Sequence, residues 1–168
     1  GMTPDEIENT LNGMDWETIF DDRPSRESRS FRRKSDDDLY LVKSKPGFNE
    51  GRIELPLGAI QGQKFDLALR ALTLPVSEIQ DFDDLHIPFR AVATDIANGE
   101  EVVLGSGDLA QAMRASMAVP GAFAPARIEG RLLVDGGIAN NLPVSVVRDL
   151  GADIVIAVDI STPFLPTE

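Results

Sequence analysis

The pattern of hydrophobic and polar positions predicts a short helix at the start of the chain. Residues 3–13 carry a complete set of helix signals, because Thr3 can cap the first turn and Glu6 completes a capping box with it. Pro4 occupies the first helical position, and Gly13 follows the last periodic residue. We therefore expect one helix that begins and ends within this segment.

Two further helical segments are predicted in the first half. Residues 15–20 fit one more helical turn, and we expect Trp16, Ile19 and Phe20 to pack in the core. Residues 63–72 place apolar side chains on a broad stripe at helical spacing, which indicates a helix with one wide buried face. The same apolar face is also a candidate contact for a homodimer.

The second half of the chain alternates between strand and helix patterns. Short runs of small and β-branched residues predict strands, and periodic segments between a cap and a Gly or Pro predict helices. The last run is almost continuously apolar, which is typical of a parallel strand buried on both faces. We therefore predict an α/β layered fold with a mainly parallel sheet. The predicted elements are strands at 88–96, 100–107 and 153–161, a hairpin at 126–137 that turns at Glu129 and Gly130, and helices at 108–119 and 142–151.

Composition narrows the class of protein. The 168 residues fit one domain, and 42% of them are apolar, which is enough for a packed core. A net charge of −12 argues against nucleic acid as the main partner, because phosphate binding needs a basic face. The chain has no cysteine and a single histidine, His86, so we expect no thiolate or multi-histidine metal site. His86 precedes a predicted strand and is expected to be structural or exposed.

One basic cluster stands out in this acidic chain. Residues 23–34 contain six basic side chains and one acidic one, and three aspartates follow at 36–38. The segment is either a solvated loop, partly neutralised by these aspartates, or a contact for anionic lipid head groups. The nearby acidic run favours the solvated loop.

The stretch LLVDGGIANNLPV at 132–144 carries the strongest chemical signal. Asp135 follows an apolar strand at once, and functional residues of α/β folds lie at the carboxyl ends of strands. The two glycines that follow allow the backbone to turn and to be approached closely. Since Asp-Gly is also a common turn pair, a catalytic and a purely structural interpretation both remain open. One of the two asparagines could cap the helix that follows.

Several blocks together resemble the patatin-like phospholipases. VDGGIANNLPV (134–144) is similar to the segment around that family's catalytic aspartate, and MRASMAVPGAFAP (113–125) and residues 87–112 resemble the blocks before it. Residues 31–62 and LRALTLP (69–75) resemble a bacterial subgroup in which the exported lipase domain is joined to an outer-membrane barrel.

The resemblance implies a fold and a reaction. The fold would be a three-layer α/β/α sandwich, and the reaction a phospholipase A-type hydrolysis of lipid esters by a Ser–Asp dyad that needs no metal and no cofactor. The substrate would be a phospholipid or another lipid ester, met at a membrane surface to which the protein binds peripherally. The site residues implied are Asp135 as the catalytic base, with Gly136, Gly137, Asn140, Asn141, Ser116 and Pro120 supporting the motif.

The sequence departs from the family at the nucleophile. The family serine lies in a Gly-x-Ser-x-Gly elbow, and no serine here has glycines at that spacing. Ser106 has glycines as immediate neighbours instead, and the matching family position of Ser116 is not the nucleophile. The glycine-rich oxyanion loop is also absent. We therefore expect residues 1–168 to be the C-terminal part of one patatin-like domain, inactive without an N-terminal segment.

Three other functions remain as alternatives. The first is a non-catalytic lipid-binding or regulatory domain of the same fold. The second, a nucleotide-binding α/β domain, is disfavoured because neither glycine-rich stretch forms a Gly-x-Gly-x-x-Gly motif or a phosphate loop. The third is a structural or interaction domain. The subgroup resemblance points to a bacterial protein, secreted or at the cell surface, and a cytoplasmic location is the alternative.

Overall fold

The computed structural model describes residues 2–20, 47–49, 52–54, 58–60 and 62–159. Within these residues the second half of the chain contains both strands and helices, as expected for an α/β protein. The helices are α1 (Pro4–Gly13), α2 (Trp16–Phe20), α3 (Gln63–Thr73), α4 (Leu109–Ser116) and α5 (Val144–Asp149). The strands are β1 (Gly47–Asn49), β2 (Arg52–Glu54), β3 (Gly58–Ile60), β4 (Ala91–Asp95), β5 (Glu101–Leu104), β6 (Gly121–Phe123), β7 (Ala126–Ile128) and β8 (Arg131–Asp135).

A four-stranded sheet in the order β5-β4-β8-β7 forms the centre of the described fold. Strand β4 pairs with β5 and, on its other side, with β8, which brings Ala93 opposite Asp135. The hairpin between β7 and β8 is confirmed, since Glu129 and Gly130 both have positive φ, of 49° and 80°. Short connections join β4 to β5 and β7 to β8, which makes these two pairs antiparallel, and β4 and β8 also pair in the antiparallel direction.

The expectation of a mainly parallel sheet is not confirmed among the described strands. There the only parallel pair is β3 with β6, which lies outside the four-stranded sheet. Residues 153–159, the described part of the predicted last strand, form neither helix nor strand. Ile154 and Ile156 are 84% and 86% exposed, and Val158 is 73% exposed. An apolar run becomes a buried strand only where a neighbouring strand and a covering layer exist, and the described residues supply neither.

The first helices follow their local signals. Thr3 accepts a hydrogen bond from the Glu6 backbone N–H, and the Glu6 carboxylate accepts one from the Thr3 backbone N–H at 2.7 Å, so the capping box is confirmed. Trp16 was expected in the core, but it is 40% exposed and stacks on Phe20 with ring centroids 5.8 Å apart. Ile19 is half-buried, as is Phe20. The short α2 can turn only one face inward, which leaves Trp16 at its border.

The core joins the helices to the sheet. Phe65 and Leu69 of α3 pack with Ala110 of α4, and Phe20 and Phe123 close this cluster at its border. Helix α4 also packs against the sheet through Ala115, which is fully buried with Ala93 and Leu133. The wide stripe predicted for 63–72 is therefore only partly buried, since Leu67 remains 66% exposed. Its use in a homodimer stays a prediction.

Two predicted features fall wholly or partly outside the described residues. The basic segment 23–34 lies outside them, as does Ser161. Among the helices that are described, none is long and apolar enough to cross a membrane.

Candidate functional site

Asp135 is the last residue of β8 and lies beside the central strand β4. Two hydrogen bonds fix its backbone. Its N–H donates to the Ala118 carbonyl at 3.0 Å, and its carbonyl accepts from the Thr94 hydroxyl at 2.9 Å. The backbone of Asp135 is thus tied both to the loop after α4 and to the neighbouring strand, and the direction in which its side chain leaves the sheet is set by both contacts.

The Asp135 carboxylate has one oxygen occupied and one accessible to a partner. Oδ1 accepts a hydrogen bond from the Gly137 N–H at 2.7 Å. Among the described residues, Oδ2 accepts no hydrogen bond and no cation pairs with the carboxylate. The side chain is half-buried. A carboxylate held in this way can accept a proton from a hydroxyl group that comes within about 2.6–3.2 Å of it.

Gly136 lets the turn lie directly against the sheet. A Cβ at this position would be 2.2 Å from the Val92 carbonyl oxygen of β4, so only glycine fits. Gly137 has more room, since its Cβ would meet side-chain oxygens of Asn141 and Asp135 at 2.9 and 3.0 Å. The two glycines therefore have different roles. Gly136 permits close approach of the turn to the β4 backbone, and Gly137 supplies the N–H that binds the Asp135 carboxylate.

Thr94 of β4 contacts both ends of this turn. Its hydroxyl donates to the Asp135 carbonyl and accepts from the Ala139 N–H at 3.2 Å, and the residue is 2% exposed. Thr94 belongs to no motif in the sequence that marks it as functional. The signal that could have revealed it is a hydroxyl group following Ala91, Val92 and Ala93 in a strand that is otherwise apolar up to Asp95.

Asn140 and Asn141 belong to the same turn. The Asn140 N–H donates to the Gly136 carbonyl at 2.8 Å, and its side-chain amide donates to the Glu101 carboxylate. The Asn141 amide oxygen faces Gly137. Neither asparagine caps α5, because Pro143 holds the N-cap position. The suggestion that one of them caps this helix was wrong. Asn140 instead bonds within the turn that follows β8, and Asn141 lies beside it.

A cavity of about 240 Å³ lies near the packed helices α3 and α4, away from this turn. Asp135 does not line it, so we define the candidate site by Asp135 and its turn rather than by this cavity. The lining residues are Asp66, Arg70, Ala110, Gln111, Arg114, Pro125, Ala126 and Arg127.

Comparison with known proteins identifies the family. The family model described as patatin-like phospholipase matches residues 1–148, which is most of the chain. The chain belongs to the patatin-like phospholipase family. An uncharacterized NTE family protein of Mycobacterium tuberculosis is 40% identical over 104 residues, which is 62% of this chain and 28% of that protein.

Two animal relatives extend the comparison. The patatin-like phospholipase domain-containing protein 7 of Mus musculus is 40% identical over 85 residues, which is 49% of this chain and 6% of that protein. A patatin-like phospholipase domain-containing protein of Caenorhabditis elegans is 38% identical over 103 residues, 60% of this chain and 7% of that protein. The chain therefore aligns with less than a third of the length of each of these relatives. The link to the barrel-fused subgroup stays a prediction.

The remaining residues expected from the patatin resemblance lie close by in the chain. Ser116 ends α4 and is half-buried, and Pro120 is exposed in the loop before β6. The Ala118 carbonyl between them accepts the hydrogen bond from the Asp135 N–H, so this loop supports Asp135 through its backbone. His86 is exposed. Within the described residues, no group of three or more acidic or histidine side chains is placed to hold a metal ion.

Proposed function

We propose that this chain supplies Asp135 as the general base of a lipid acyl hydrolase, a phospholipase A-type enzyme with a Ser–Asp dyad. The observation that carries the proposal is the state of the Asp135 carboxylate. One oxygen is held by the Gly137 N–H at 2.7 Å, the other accepts no hydrogen bond from the described residues, and no cation there neutralises the group. Membership of the patatin-like phospholipase family supports the substrate class.

The proposed chemistry needs two proton transfers. Asp135 Oδ2 takes the proton from a serine hydroxyl as the serine oxygen attacks the ester carbonyl. The protonated Asp135 then gives that proton to the departing alcohol oxygen, which leaves an acyl-serine. A water molecule hydrolyses the acyl-serine by the same two transfers, and this releases the fatty acid and restores the serine.

The serine itself is proposed to come from polypeptide outside residues 1–168. No serine in the sequence has the elbow spacing Gly-x-Ser-x-Gly. Residues 153–159 support a further polypeptide partner, because Ile154, Ile156 and Val158 expose apolar side chains at every second position. This is the spacing of one face of a strand, and pairing with a strand of the added segment would cover it. Residues 1–168 alone should then be inactive.

Phospholipid or a related lipid ester is the proposed substrate, and a peripheral contact with a membrane surface follows from it. The lipid must leave the bilayer far enough for its ester carbonyl to reach the serine beside Asp135. The family membership supports this substrate class, whereas the bacterial barrel-fused subgroup and a cell-surface location rest on the resemblance of residues 31–62 and 69–75 alone.

The test uses a longer polypeptide that contains these residues and the proposed serine-bearing segment. Asp135→Asn keeps the size of the side chain and its acceptor for the Gly137 N–H, but it removes the base. We expect kcat for a short-chain ester to fall roughly ten-thousand-fold, as for loss of the acidic member of a catalytic triad. Asp149→Asn, at an exposed position that ends α5, is the matched control and should keep full activity.

Three outcomes decide between the candidate functions. Loss of turnover in Asp135→Asn only, with an unchanged circular dichroism spectrum, supports the proposal. Turnover that survives the substitution removes Asp135 from the mechanism. Binding of phospholipid vesicles without any ester turnover in the unsubstituted polypeptide would instead favour the non-catalytic lipid-binding domain.

A further inference from the structure

We propose that Thr94 is a positioning residue that sets the direction of the Asp135 carboxylate from the neighbouring strand. This inference rests on the proposed role of Asp135 as the base. Thr94 does not reach the substrate in this proposal, and it acts only through the turn that carries Asp135.

A single hydroxyl group joins the two ends of that turn. Thr94 Oγ1 donates to the Asp135 carbonyl at 2.9 Å and accepts from the Ala139 N–H at 3.2 Å. The Ala139 N–H is also 3.1 Å from the Gly136 carbonyl, so this N–H contacts one acceptor inside the turn and one on strand β4. Between these anchors lies the Gly137 N–H, which holds Asp135 Oδ1. Any movement of the turn therefore moves the donor that orients the carboxylate.

Burial makes the hydroxyl of Thr94 hard to replace. The residue is 2% exposed, and its three preceding neighbours in β4 are Ala91, Val92 and Ala93, all buried. A buried hydroxyl is unfavourable unless it is hydrogen-bonded, and valine would fit a buried strand equally well in shape. Both hydrogen bonds of the Thr94 hydroxyl go to the turn. The Thr94 hydroxyl therefore stabilises the turn and is not needed for packing of the strand.

The expected consequence is kinetic. A displacement of about 1 Å at a reacting group can cost on the order of a hundredfold in rate. Thr94→Val keeps the shape of the side chain but removes both hydrogen bonds, so the carboxylate loses one of the two supports of its turn. We expect kcat to fall roughly ten- to a hundredfold with little change in KM, because Thr94 does not contact the substrate in this proposal.

The experiment measures kcat and KM for a short-chain ester in the longer polypeptide described above. The variants are Thr94→Val, Thr94→Ser, Asp135→Asn and the double variant Thr94→Val with Asp135→Asn. Thr94→Ser keeps the hydroxyl and should restore the rate to within about threefold of the unsubstituted enzyme. Thr73→Val is the matched control, since the Thr73 hydroxyl donates to the Leu69 carbonyl within α3 at 2.9 Å and should leave kcat unchanged.

The double variant separates a positioning role from a structural one. If Thr94 acts through Asp135, Thr94→Val should not lower the residual rate of Asp135→Asn any further. Rates are normalised to the folded fraction from circular dichroism, so loss of stability alone cannot imitate the effect. Should Thr94→Val fail to fold, Thr94→Ala, which leaves space for a water molecule, takes its place in the cycle.

The failures of the two proposals can be told apart. Asp135→Asn without activity, together with Thr94→Val at the unsubstituted rate, overturns the role of Thr94 and leaves that of Asp135 intact. Thr94→Val could also lower kcat by the same factor in the unsubstituted polypeptide and in Asp135→Asn. That result would indicate a structural effect and would also overturn the role of Thr94. An active Asp135→Asn variant overturns both proposals.

Discussion

Gly136 offers the sharpest test of how the candidate site is built. A Cβ at this position would lie 2.2 Å from the Val92 carbonyl oxygen and 2.6 Å from its carbon. Ordinary van der Waals contact begins at 3.4 Å, so Gly136→Ala requires a movement of about 1 Å or more. Val92 cannot easily retreat, because its strand β4 is hydrogen-bonded to β5 on one side and to β8 on the other.

The magnitude follows from this geometry. Forcing an extra methyl group into a well-packed region costs about 1–3 kcal/mol, and a backbone neighbour places this site at the upper end. We expect Gly136→Ala to lower the free energy of unfolding by about 3 kcal/mol. For a chain of this length, each kcal/mol shifts Tm by roughly 2–4 °C, so Tm should fall by roughly 6–12 °C.

Thermal and urea unfolding followed by circular dichroism measure the effect, and two other glycines grade it. Gly137→Ala meets only the side-chain oxygens of Asn141 and Asp135, which can move, so its loss should be smaller. Gly13→Ala meets nothing within 4 Å and should be neutral or slightly stabilising. A free energy of unfolding for Gly136→Ala within about 0.5 kcal/mol of the unsubstituted protein would refute this prediction, as would an equal loss of stability in Gly13→Ala.

Two further predictions concern charged side chains. The hydrogen bond from Arg90 lowers the pKa of Asp83 below its ordinary value of 3.8, so the contact stabilises the fold above about pH 4 and that stabilisation is lost as the pH falls further. Urea unfolding should therefore show Asp83→Asn less stable than the unsubstituted protein at pH 7, and this difference in stability should shrink as the pH falls below about 4. A difference that stays constant in acid would contradict this. Arg114 is 5% exposed and makes two contacts: it donates to the Ala124 carbonyl at 2.9 Å, and its Nε pairs with Asp66 at 3.1 Å. A lysine side chain cannot make both contacts. Arg114→Lys should lose about 1.5–3 kcal/mol in urea unfolding, whereas the exposed Arg131→Lys should lose almost nothing, and equal losses would speak against the prediction.

Features governed by near neighbours in the chain could be read from the sequence. The capping box of Thr3 and Glu6 forms as expected, and Asp108 caps α4 by accepting from the Gln111 N–H at 3.0 Å. The hairpin turn at Glu129 and Gly130 also follows its sequence signal. Each of these contacts spans three residues or fewer, so the sequence pattern contains all the participants.

Features that depend on distant segments could not be read in the same way. Trp16 was predicted to lie in the core because it is apolar and lies in a helical segment. How much of its ring is buried depends on the length and orientation of α2, which the sequence pattern does not give. The pattern of 153–159 predicted a buried strand, but burial needs a partner that these residues do not find in the described structure. Asn140 and Asn141 were candidate N-caps of α5, whereas in the structure both residues belong to the turn after β8.

The sequence by itself determined the family, the presence of both helices and strands and the position of Asp135 at the end of a strand, because each depends on residues that are close together in the chain. Only the tertiary structure decided that β4 lies beside β8, and therefore that Thr94, 41 residues before Asp135, closes the turn around it. The physical reason is that a buried hydroxyl takes whatever acceptors the folded chain brings near, and no local pattern specifies strand order.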